Sequence, residues 1–181
     1  MTTYRRVVTG HNEEGKAIIA IDGEPGHRSG NLYEMWNTTS MPADNTDPTD
    51  DVAATREMEL EPDPNGTVFR FFEVKPEREL GTPEDRERAA QERLAAMNEK
   101  QREAAISRKP DTTRHPGMHK TKTVDYIILL KGEVTMLVDE GEVDLKPFDS
   151  VVQRGTNHAW VNKGTETAAL VAVMVKAEAL P

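Results

Sequence analysis

Short strand-like runs separated by glycine turns fill the second half of the chain. From Val124 to Lys176 the apolar runs break at Lys131–Gly132, Glu140–Gly141 and Lys163–Gly164, about every ten residues. Many short strands at this spacing are typical of an antiparallel sandwich or a small barrel. The pattern therefore predicts an all-β, antiparallel fold for this half of the chain.

The first half contains further strand candidates. The alternation of apolar and polar positions predicts strands from Arg5 to Thr9, from Lys16 to Ile21, from Leu32 to Thr38 and over residues 67–76. The first two runs are separated by a segment with Asn and Gly, which suits a hairpin loop. We expect these strands to form an N-terminal extension of the barrel and to complete it.

Two segments lack a strand pattern. Residues 40–66 are rich in Asp, Pro, Thr and Asn, and loops of that length are often lids or binding loops. Residues 82–108 predict a charged helix, because Thr82 can cap its start and Pro83 suits its first position. This helix either packs one thin apolar stripe or covers a pocket.

The length of 181 residues suits one compact domain. We expect a single domain over residues 1–181, with a barrel core at about 67–178 and the helix inserted into it. The N-terminal strands and the long loop then occupy residues 1–66.

Composition and charge narrow the classes of function. The net charge of −9 argues against nucleic acid or an anionic membrane as a partner, because both require a basic surface. The chain has no cysteine, so disulfides, thiolate nucleophiles and cysteine-ligated zinc are excluded. Neither a signal peptide nor an apolar run of the roughly 18 residues that a membrane helix needs is evident. We expect a cytoplasmic protein.

A carboxylate on an otherwise apolar strand face is the first indication of a functional site. In a regular strand His119, Thr121 and Asp125 share one face with Ile127 and Leu129, so that this face points inward. A buried carboxylate is costly unless it is paired, hydrogen-bonded or bound to a metal.

A second strand carries a matching set of side chains. His158, Trp160 and Asn162 share one parity in the stretch TNHAWVN. Two histidines and one carboxylate from two strands, His119, Asp125 and His158, would form a facial triad with open positions. Such a triad suits Fe(II), and Mn, Ni or Zn could also occupy it.

These segments resemble the motifs of the cupin superfamily of small jelly-roll barrels. The second cupin motif, G-x5-P-x-G-x2-H-x3-N, is matched by Gly155, His158 and Asn162, with Gln153 in place of proline. In the first motif, G-x5-H-x-H-x3/4-E-x6-G, counting back from Gly132 places Asp125 at the glutamate. His119 then takes the first histidine, and Thr121 stands where the second should be.

The resemblance implies a small-molecule enzyme, and two interpretations of the missing ligand stay open. In one, a divalent metal (Fe, Zn, Mn or Ni) binds His119, Asp125 and His158, with His115 as a candidate fourth ligand, and the enzyme is a lyase, isomerase, decarboxylase or dioxygenase. In the other, the same three residues form a metal-free acid–base site of a dehydratase or cyclase. A cluster that only hydrogen-bonds within the barrel is the simplest alternative.

Further expectations concern the substrate and the assembly. Candidate pocket residues are Thr121, Trp160, Asn162 and Trp36, and the partner is a small organic molecule. The resemblance also implies a homodimer that pairs through N-terminal strands. A non-catalytic module that binds a small molecule is the alternative from another functional class.

Overall fold

The computed structural model of the protein describes residues 4–46, 52–97, 99, 102 and 110–178. Its strands, in chain order, are β1 Arg6–His11, β2 Ala17–Gly23, β3 His27–Ser29, β4 Leu32–Thr38, β5 Thr67–Val74, β6 Thr123–Lys131, β7 Val134–Val138, β8 Glu142–Leu145, β9 Ser150–Gln153, β10 His158–Val161 and β11 Ala168–Lys176. The helices α1 Val52–Thr55 and α2 Pro83–Ala96 and a 3₁₀ turn at Glu77–Glu79 lie among them.

The strands form two main sheets with antiparallel pairing. The larger sheet has the order β3-β4-β5-β11-β6-β9, and the smaller sheet has the order β10-β7-β8. After β6 the chain passes to the smaller sheet for β7 and β8, returns for β9, passes again for β10 and returns for β11. This repeated exchange between two sheets is the jelly-roll pattern. The prediction of an all-β antiparallel jelly roll is confirmed.

The main apolar core takes side chains from both sheets. Ile127, Leu129 and Leu170 of the larger sheet cluster with Val134 and Met136 of the smaller sheet. Fully burying one such side chain stabilises the fold by about 1.5–3 kcal/mol. Along β6 the odd-numbered positions 123–129 are buried and the even-numbered positions 126–130 are exposed, so the alternation expected from the sequence holds.

Strand β4 departs from simple alternation. Its register with β5 shifts between Glu34 and Trp36, and Tyr33, Glu34 and Met35 are all buried. An extra residue in one strand of a pair disrupts the alternation of side chains. As a result Glu34 is buried, where one of its carboxylate oxygens lies 2.7 Å from Nη2 of Arg70 on β5.

The N-terminal strands divide into two parts. β3 and β4 join the larger sheet, whereas β1 and β2 pair with each other as a separate hairpin. The base of this hairpin is attached by Arg6, which donates hydrogen bonds to the carbonyls of Glu24 and Met35 at 2.9 and 3.1 Å. The ring of Tyr4 packs on Tyr33 with centroids 4.4 Å apart. The division of the whole chain into one domain stays a prediction.

The long loop expected over residues 40–66 contains a short helix. Val52 and Ala53 of α1 are buried, and a Cβ placed on Gly26 would lie 2.8 Å from the Cβ of Ala53. Residues 47–51 lie outside the described residues. Part of this segment therefore packs against the N-terminal strands instead of remaining a free loop.

Helix α2 begins where the sequence predicts. The backbone N–H of Asp85 donates to Oγ1 of Thr82 at 3.2 Å, and the N–H of Thr82 donates to the Asp85 carboxylate at 3.0 Å. This reciprocal pair caps the helix start. The helix runs to Ala96, and much of the remaining predicted stretch to residue 108 lies outside the described residues. Within the described part of the chain, no helix is both long and apolar enough to cross a membrane.

Candidate functional site

His119 and His158 meet across two neighbouring chain segments, and we call them the imidazole pair. The backbone N–H of His119 donates to the carbonyl of His158 at 2.9 Å, and the N–H of His158 donates back at 3.0 Å. This bridge places the two ring centroids 4.2 Å apart, with the ring planes inclined by 47°. The structure thus brings together two of the three residues that the sequence assigns to the site.

His158 is the buried member of the pair. It is 2% exposed, and its Nδ1 lies 2.9 Å from the carbonyl oxygen of Thr156 and 2.9 Å from Nε2 of Gln153. Burial and then the charge of His119 lower the pKa of His158 to about 3, against the opposing effect of the Thr156 carbonyl. His158 is therefore neutral at physiological pH.

Gln153, the last residue of β9, fixes the turn that leads to His158. Its Oε1 accepts a hydrogen bond from the backbone N–H of Gly155 at 2.7 Å. Its Nε2 donates to the carbonyl and to the hydroxyl of Thr156 at 2.8 and 3.1 Å. Because a backbone N–H can only donate, the contact with Gly155 determines which end of the amide is oxygen.

A family model matches the part of the chain that carries these motifs. Residues 108–174, which include the imidazole pair, match the model of the Cupin domain family. The chain thus contains a cupin domain over residues 108–174. The spacing of Gly155, His158 and Asn162 that resembles the second cupin motif falls inside the matched region.

Similar proteins come from two fungal gene clusters and from a solved bacterial structure. The chain is 28% identical over 191 aligned positions to phomopsin biosynthesis cluster protein C' of Diaporthe leptostromiformis, covering 100% of this chain and 82% of that protein. It is 47% identical over 53 residues to oryzines biosynthesis cluster protein J of Aspergillus oryzae, and this alignment covers 26% of this chain and 30% of that protein. The solved structure of a Cupin 2 conserved barrel domain protein of Salinispora arenicola aligns with a TM-score of 0.37 and 13% identity. This alignment covers 68% of this chain and 72% of that chain.

Two of the positions where this chain departs from the cupin motifs lie against each other. Thr121, which stands in place of the second histidine, has its hydroxyl 3.4 Å from Oε1 of Gln153, which stands in place of the proline. Both side chains are buried. A neutral amide and a neutral hydroxyl therefore occupy the place where the motif has another histidine.

Asp125, at the glutamate position of the motif, is buried on β6 but is not grouped with the histidines as a metal centre. Its Cα pairs with Gln153 of β9, and its charge acts on Arg70 of β5. Across the described residues, no group of three His, Asp or Glu side chains is placed to hold a metal ion. A metal of the Fe, Zn, Mn or Ni type needs its donors to converge. The donor set as placed does not fit a metal held by His119, Asp125 and His158, and the metal assignment stays a prediction.

His115 and Arg114 have contacts of their own. Nε2 of His115 lies 2.9 Å from the carboxylate of Glu77, and its Nδ1 accepts a hydrogen bond from the N–H of Gly117 at 2.9 Å. His115 is therefore directed at Glu77 rather than serving as a fourth ligand beside the imidazole pair. Arg114 donates to the carbonyls of Val138 and Gly141 and so supports the β7–β8 turn.

The candidate pocket residues separate into different environments. Trp160 lies edge-on to His158 with ring centroids 5.5 Å apart, and it is 6.0 Å from the ring of Phe72. Trp160 thus contacts both His158 and Phe72, and both aromatic rings pack against the main apolar core. Trp36 lies on β4, where it pairs with Phe69 of β5. Strands β5 and β11 separate β4 from β6 in the larger sheet.

Asn162 is bonded to the backbone. Its Nδ2 donates to the carbonyls of Val74 and Glu166 at 2.8 Å each, and its Oδ1 accepts from the N–H of Gly164 at 2.9 Å. Its Nδ2 thus joins the loop after β10 to the end of β5, and its contacts with Glu166 and Gly164 fix the loop itself. This arrangement indicates a role in the architecture of the barrel end.

Sequence reasoning missed a second buried polar group, the ion pair of Glu34 and Arg70. Arg70 has the same parity on β5 as the buried Val68, and this was a signal that the strand carries a charge inward. The bulge in β4 hid Glu34, because its neighbours on both sides are buried as well. Burial lowers the pKa of Arg70, and the charge and hydrogen bond of Glu34 oppose that shift.

A cavity lies beside this ion pair. It is lined by Glu34, Asn37, Thr38, Arg56, Glu57, Glu59, Glu61, Pro62, Asp63, Thr67 and Val68. The lining comes from β4, β5 and the segment 56–63, and it includes none of the site residues predicted from the sequence. The cavity and the imidazole pair are thus separate features of the fold.

Proposed function

We propose that this cupin-domain protein is an enzyme that acts on a small organic metabolite by acid–base chemistry at the imidazole pair. The reaction class is a proton transfer without net oxidation, as in an isomerisation or an elimination. The observation that supports it is the contact between a buried, neutral His158 and the less buried His119, with ring centroids 4.2 Å apart.

The different burial of the two histidines suits one of them to act as base and the other as acid. Two positive charges at this separation repel, so the pair holds one proton more readily than two. His158 is the member that stays neutral, and its lone pair can accept a proton from the substrate. His119 lies nearer to solvent and can deliver a proton to the substrate or exchange it with water. Two neighbouring groups with separated proton affinities are a common basis for such an assignment.

The low pKa of His158 also indicates what kind of substrate suits the site. A base that holds its proton so weakly is inefficient by itself at neutral pH. An anionic group bound next to it favours the charged imidazole and raises its pKa. We therefore expect a substrate that carries, or develops during reaction, a negative charge beside the pair, with its apolar part against Trp160 and Phe72.

The relatives support a metabolite as substrate. Two of the similar proteins are named for phomopsin and oryzines biosynthesis clusters. Cluster proteins of this kind act in the assembly of small organic molecules, and we place this chain in the same class of metabolism.

The base can be tested without knowing the substrate. The probe is 5-nitrobenzisoxazole, from which a base removes the ring C–H proton while the N–O bond breaks to release a coloured nitrophenolate. We expect the wild type to catalyse this ring opening and His158→Gln to lose about 100-fold of the rate, in the range typical for a positioned base. His11→Gln, at the exposed end of β1, is the matched control. Equal rates for all three proteins at equal folded fractions would overturn the acid–base proposal.

A non-catalytic binding module is the second candidate, and the near-complete burial of His158 favours it. In that case an aromatic carboxylate such as benzoate shifts the side-chain NMR signals of His119 and His158, while the protein releases no nitrophenolate from the benzisoxazole. Turnover that depends on His158 rejects this candidate.

We propose that the outer face of the larger sheet binds a second copy of the chain. Phe69, Val173, Tyr126 and Val152 lie in register across four adjacent strands, and all four are exposed. The projecting β1–β2 hairpin also exposes apolar side chains, including Ile19. Contiguous exposed apolar surface of this kind marks an interaction site.

Light scattering after gel filtration tests the assembly. We expect a dimer for the wild type and a monomer for the double variant Tyr126→Lys with Val152→Lys. Val143→Lys, at an exposed apolar position of the smaller sheet, is the matched control and should remain a dimer. A monomeric wild type would refute the assembly proposal without affecting the proposed chemistry.

A further inference from the structure

The proton on His158 has two possible positions, and its neighbours discriminate between them. If Nδ1 carries the proton, it donates to the Thr156 carbonyl at 2.9 Å. The amide of Gln153 then keeps both of its donations to Thr156, and three hydrogen bonds form. Nδ1 and the Gln153 nitrogen, 2.9 Å apart, each direct their hydrogen at the same carbonyl rather than at each other.

The other tautomer is less well satisfied. If Nε2 carries the proton, Nδ1 accepts from Gln153, and the amide gives up one of its donations to Thr156. The lone pair of Nδ1 then faces the lone pairs of the Thr156 carbonyl at 2.9 Å. One hydrogen bond is lost, and the lone-pair contact with the carbonyl replaces the contact between two donors at 2.9 Å, so the difference lies in the lost hydrogen bond, which costs about 1–3 kcal/mol at a buried group.

Gln153 controls this choice because it holds the carbonyl in place. Its oxygen is tied to the N–H of Gly155, so the amide nitrogen must face Thr156. The two donations to Thr156 then orient the peptide carbonyl toward the imidazole. Proline, the residue of the family motif at this position, has no side-chain donor and could not do this.

We propose that Gln153 is a positioning residue that, through the Thr156 carbonyl, holds His158 with its proton on Nδ1 and its lone pair on Nε2. This inference rests on the proposed function, in which that lone pair is the base. It assigns a role to a residue that replaces the proline of the motif, and it explains why the amide is buried within hydrogen-bond distance of the ring.

Side-chain ¹⁵N NMR at neutral pH reads the tautomer directly. In long-range ¹H–¹⁵N correlation spectra of labelled protein, with His158 assigned by His158→Gln, we expect a pyrrole-like Nδ1 and a pyridine-like Nε2. In Gln153→Met these two resonances should move toward each other or exchange places. A wild-type His158 with its proton on Nε2 would overturn the proposal.

Gln153→Leu removes the same amide with a differently shaped side chain, so it replaces Gln153→Met if that variant folds poorly and should shift the two resonances in the same way. Gln153→Glu places a carboxylate oxygen next to Nδ1, which accepts its proton and should preserve the Nδ1–H tautomer. Thr121→Val removes only the contact at 3.4 Å and should leave the tautomer unchanged, because Gly155 still orients the amide. Unchanged spectra in a folded Gln153→Met or Gln153→Leu would show that the Thr156 carbonyl alone suffices and would reject the role of Gln153.

The rate of benzisoxazole opening separates this inference from the proposed function. Gln153→Met should lower the rate by about 10- to 100-fold, which is typical when a residue that orients a reactive histidine is lost. A wild type with the expected tautomer but no ring opening would contradict the acid–base function and leave the positioning role intact. A catalytically active wild type with the proton of His158 on Nε2 would contradict the positioning role of Gln153 and leave the acid–base function intact.

Discussion

Two polar clusters are buried in this jelly roll, and they are satisfied in opposite ways. In the ion pair, Nη2 of Arg70 donates to the Glu34 carboxylate at 2.7 Å and to the carbonyl of Glu59 at 2.8 Å. In the imidazole pair, His158 contacts only neutral groups, the Thr156 carbonyl and the Gln153 amide, on the Nδ1 side. The ion pair thus neutralises a buried positive charge with a buried negative charge, whereas His158 is held by neutral groups and is itself neutral.

The two clusters differ in their capacity for proton transfer. The guanidinium of Arg70 has a fixed protonation state, and its partners hold it in place, which is a structural arrangement. His158 is kept neutral by burial and retains a nitrogen that can accept a proton. A buried group that stays uncharged near a proton-exchanging neighbour is suited to chemistry. The ion pair thus suits a structural role, and the imidazole pair suits the acid–base role proposed above.

Removing the guanidinium is expected to have the largest effect on stability. Arg70→Met leaves the Glu34 carboxylate buried without its counter-charge, so we expect a loss of about 3–5 kcal/mol in the free energy of unfolding. Urea titration followed by circular dichroism measures it. The double variant Glu34→Gln with Arg70→Met removes both charges and should recover much of the loss.

A surface ion pair supplies the matched control. Arg56 lies 2.7 Å from the Asp63 carboxylate, with both side chains partly exposed. Arg56→Met should cost no more than about 1 kcal/mol. If Arg70→Met and Arg56→Met cost the same, the ion pair of Glu34 and Arg70 is not the stabilising cluster that the comparison requires.

Acid is expected to destabilise the protein through His158. The pKa of this group is about 3 in the folded protein and 6.5 in the unfolded chain, so the unfolded chain binds the proton first as the pH falls. Stability present above pH 6.5 is lost as the pH falls toward 3. Between pH 7 and pH 5 the wild type should lose about 2 kcal/mol more than His158→Gln, as measured by urea titration. Parallel pH profiles for the two proteins would show that His158 is not buried in its neutral form.

Removal of metal ions is expected to have the smallest effect. Because the described donors do not converge, dialysis against a chelator should leave the melting temperature unchanged. Mass spectrometry of metals in the wild type and in Asp125→Ala checks the same point. Near-stoichiometric Fe, Zn, Mn or Ni in the wild type, lost in Asp125→Ala, would instead support the metal centre predicted from the motifs.

Regular alternation explains how much of the fold could be predicted. Strand β6 follows the two-residue period, so its inward face, with Thr121 ahead of it, could be predicted from the sequence, whereas the jelly roll was what the resemblance to the cupin motifs implied. The bulge at Glu34 breaks this period, and no local signal in LYEMWNT announces it. The ion pair with Arg70 was therefore missed.

The candidate site could be predicted only in part, because it depends on contacts between distant segments. Histidine spacing pointed to His119 and His158, which the structure places together. The direction of His115 toward Glu77 depends on a contact over 38 residues of sequence that no motif specifies. The same holds for Gln153, whose role depends on the turn at Thr156 rather than on its place in a motif.

The contact of Thr121 with Gln153 has a consequence for how this sequence can change. The carbonyl of Thr121 also lies under Gly155, where φ is +71° and an added Cβ would be 2.7 Å from that oxygen. Restoring the histidine of the motif at Thr121 would force a larger ring against the Gln153 side chain in a closely packed interior. Because these two side chains are in contact, substitutions at Thr121 and Gln153 are expected to have non-additive effects on stability.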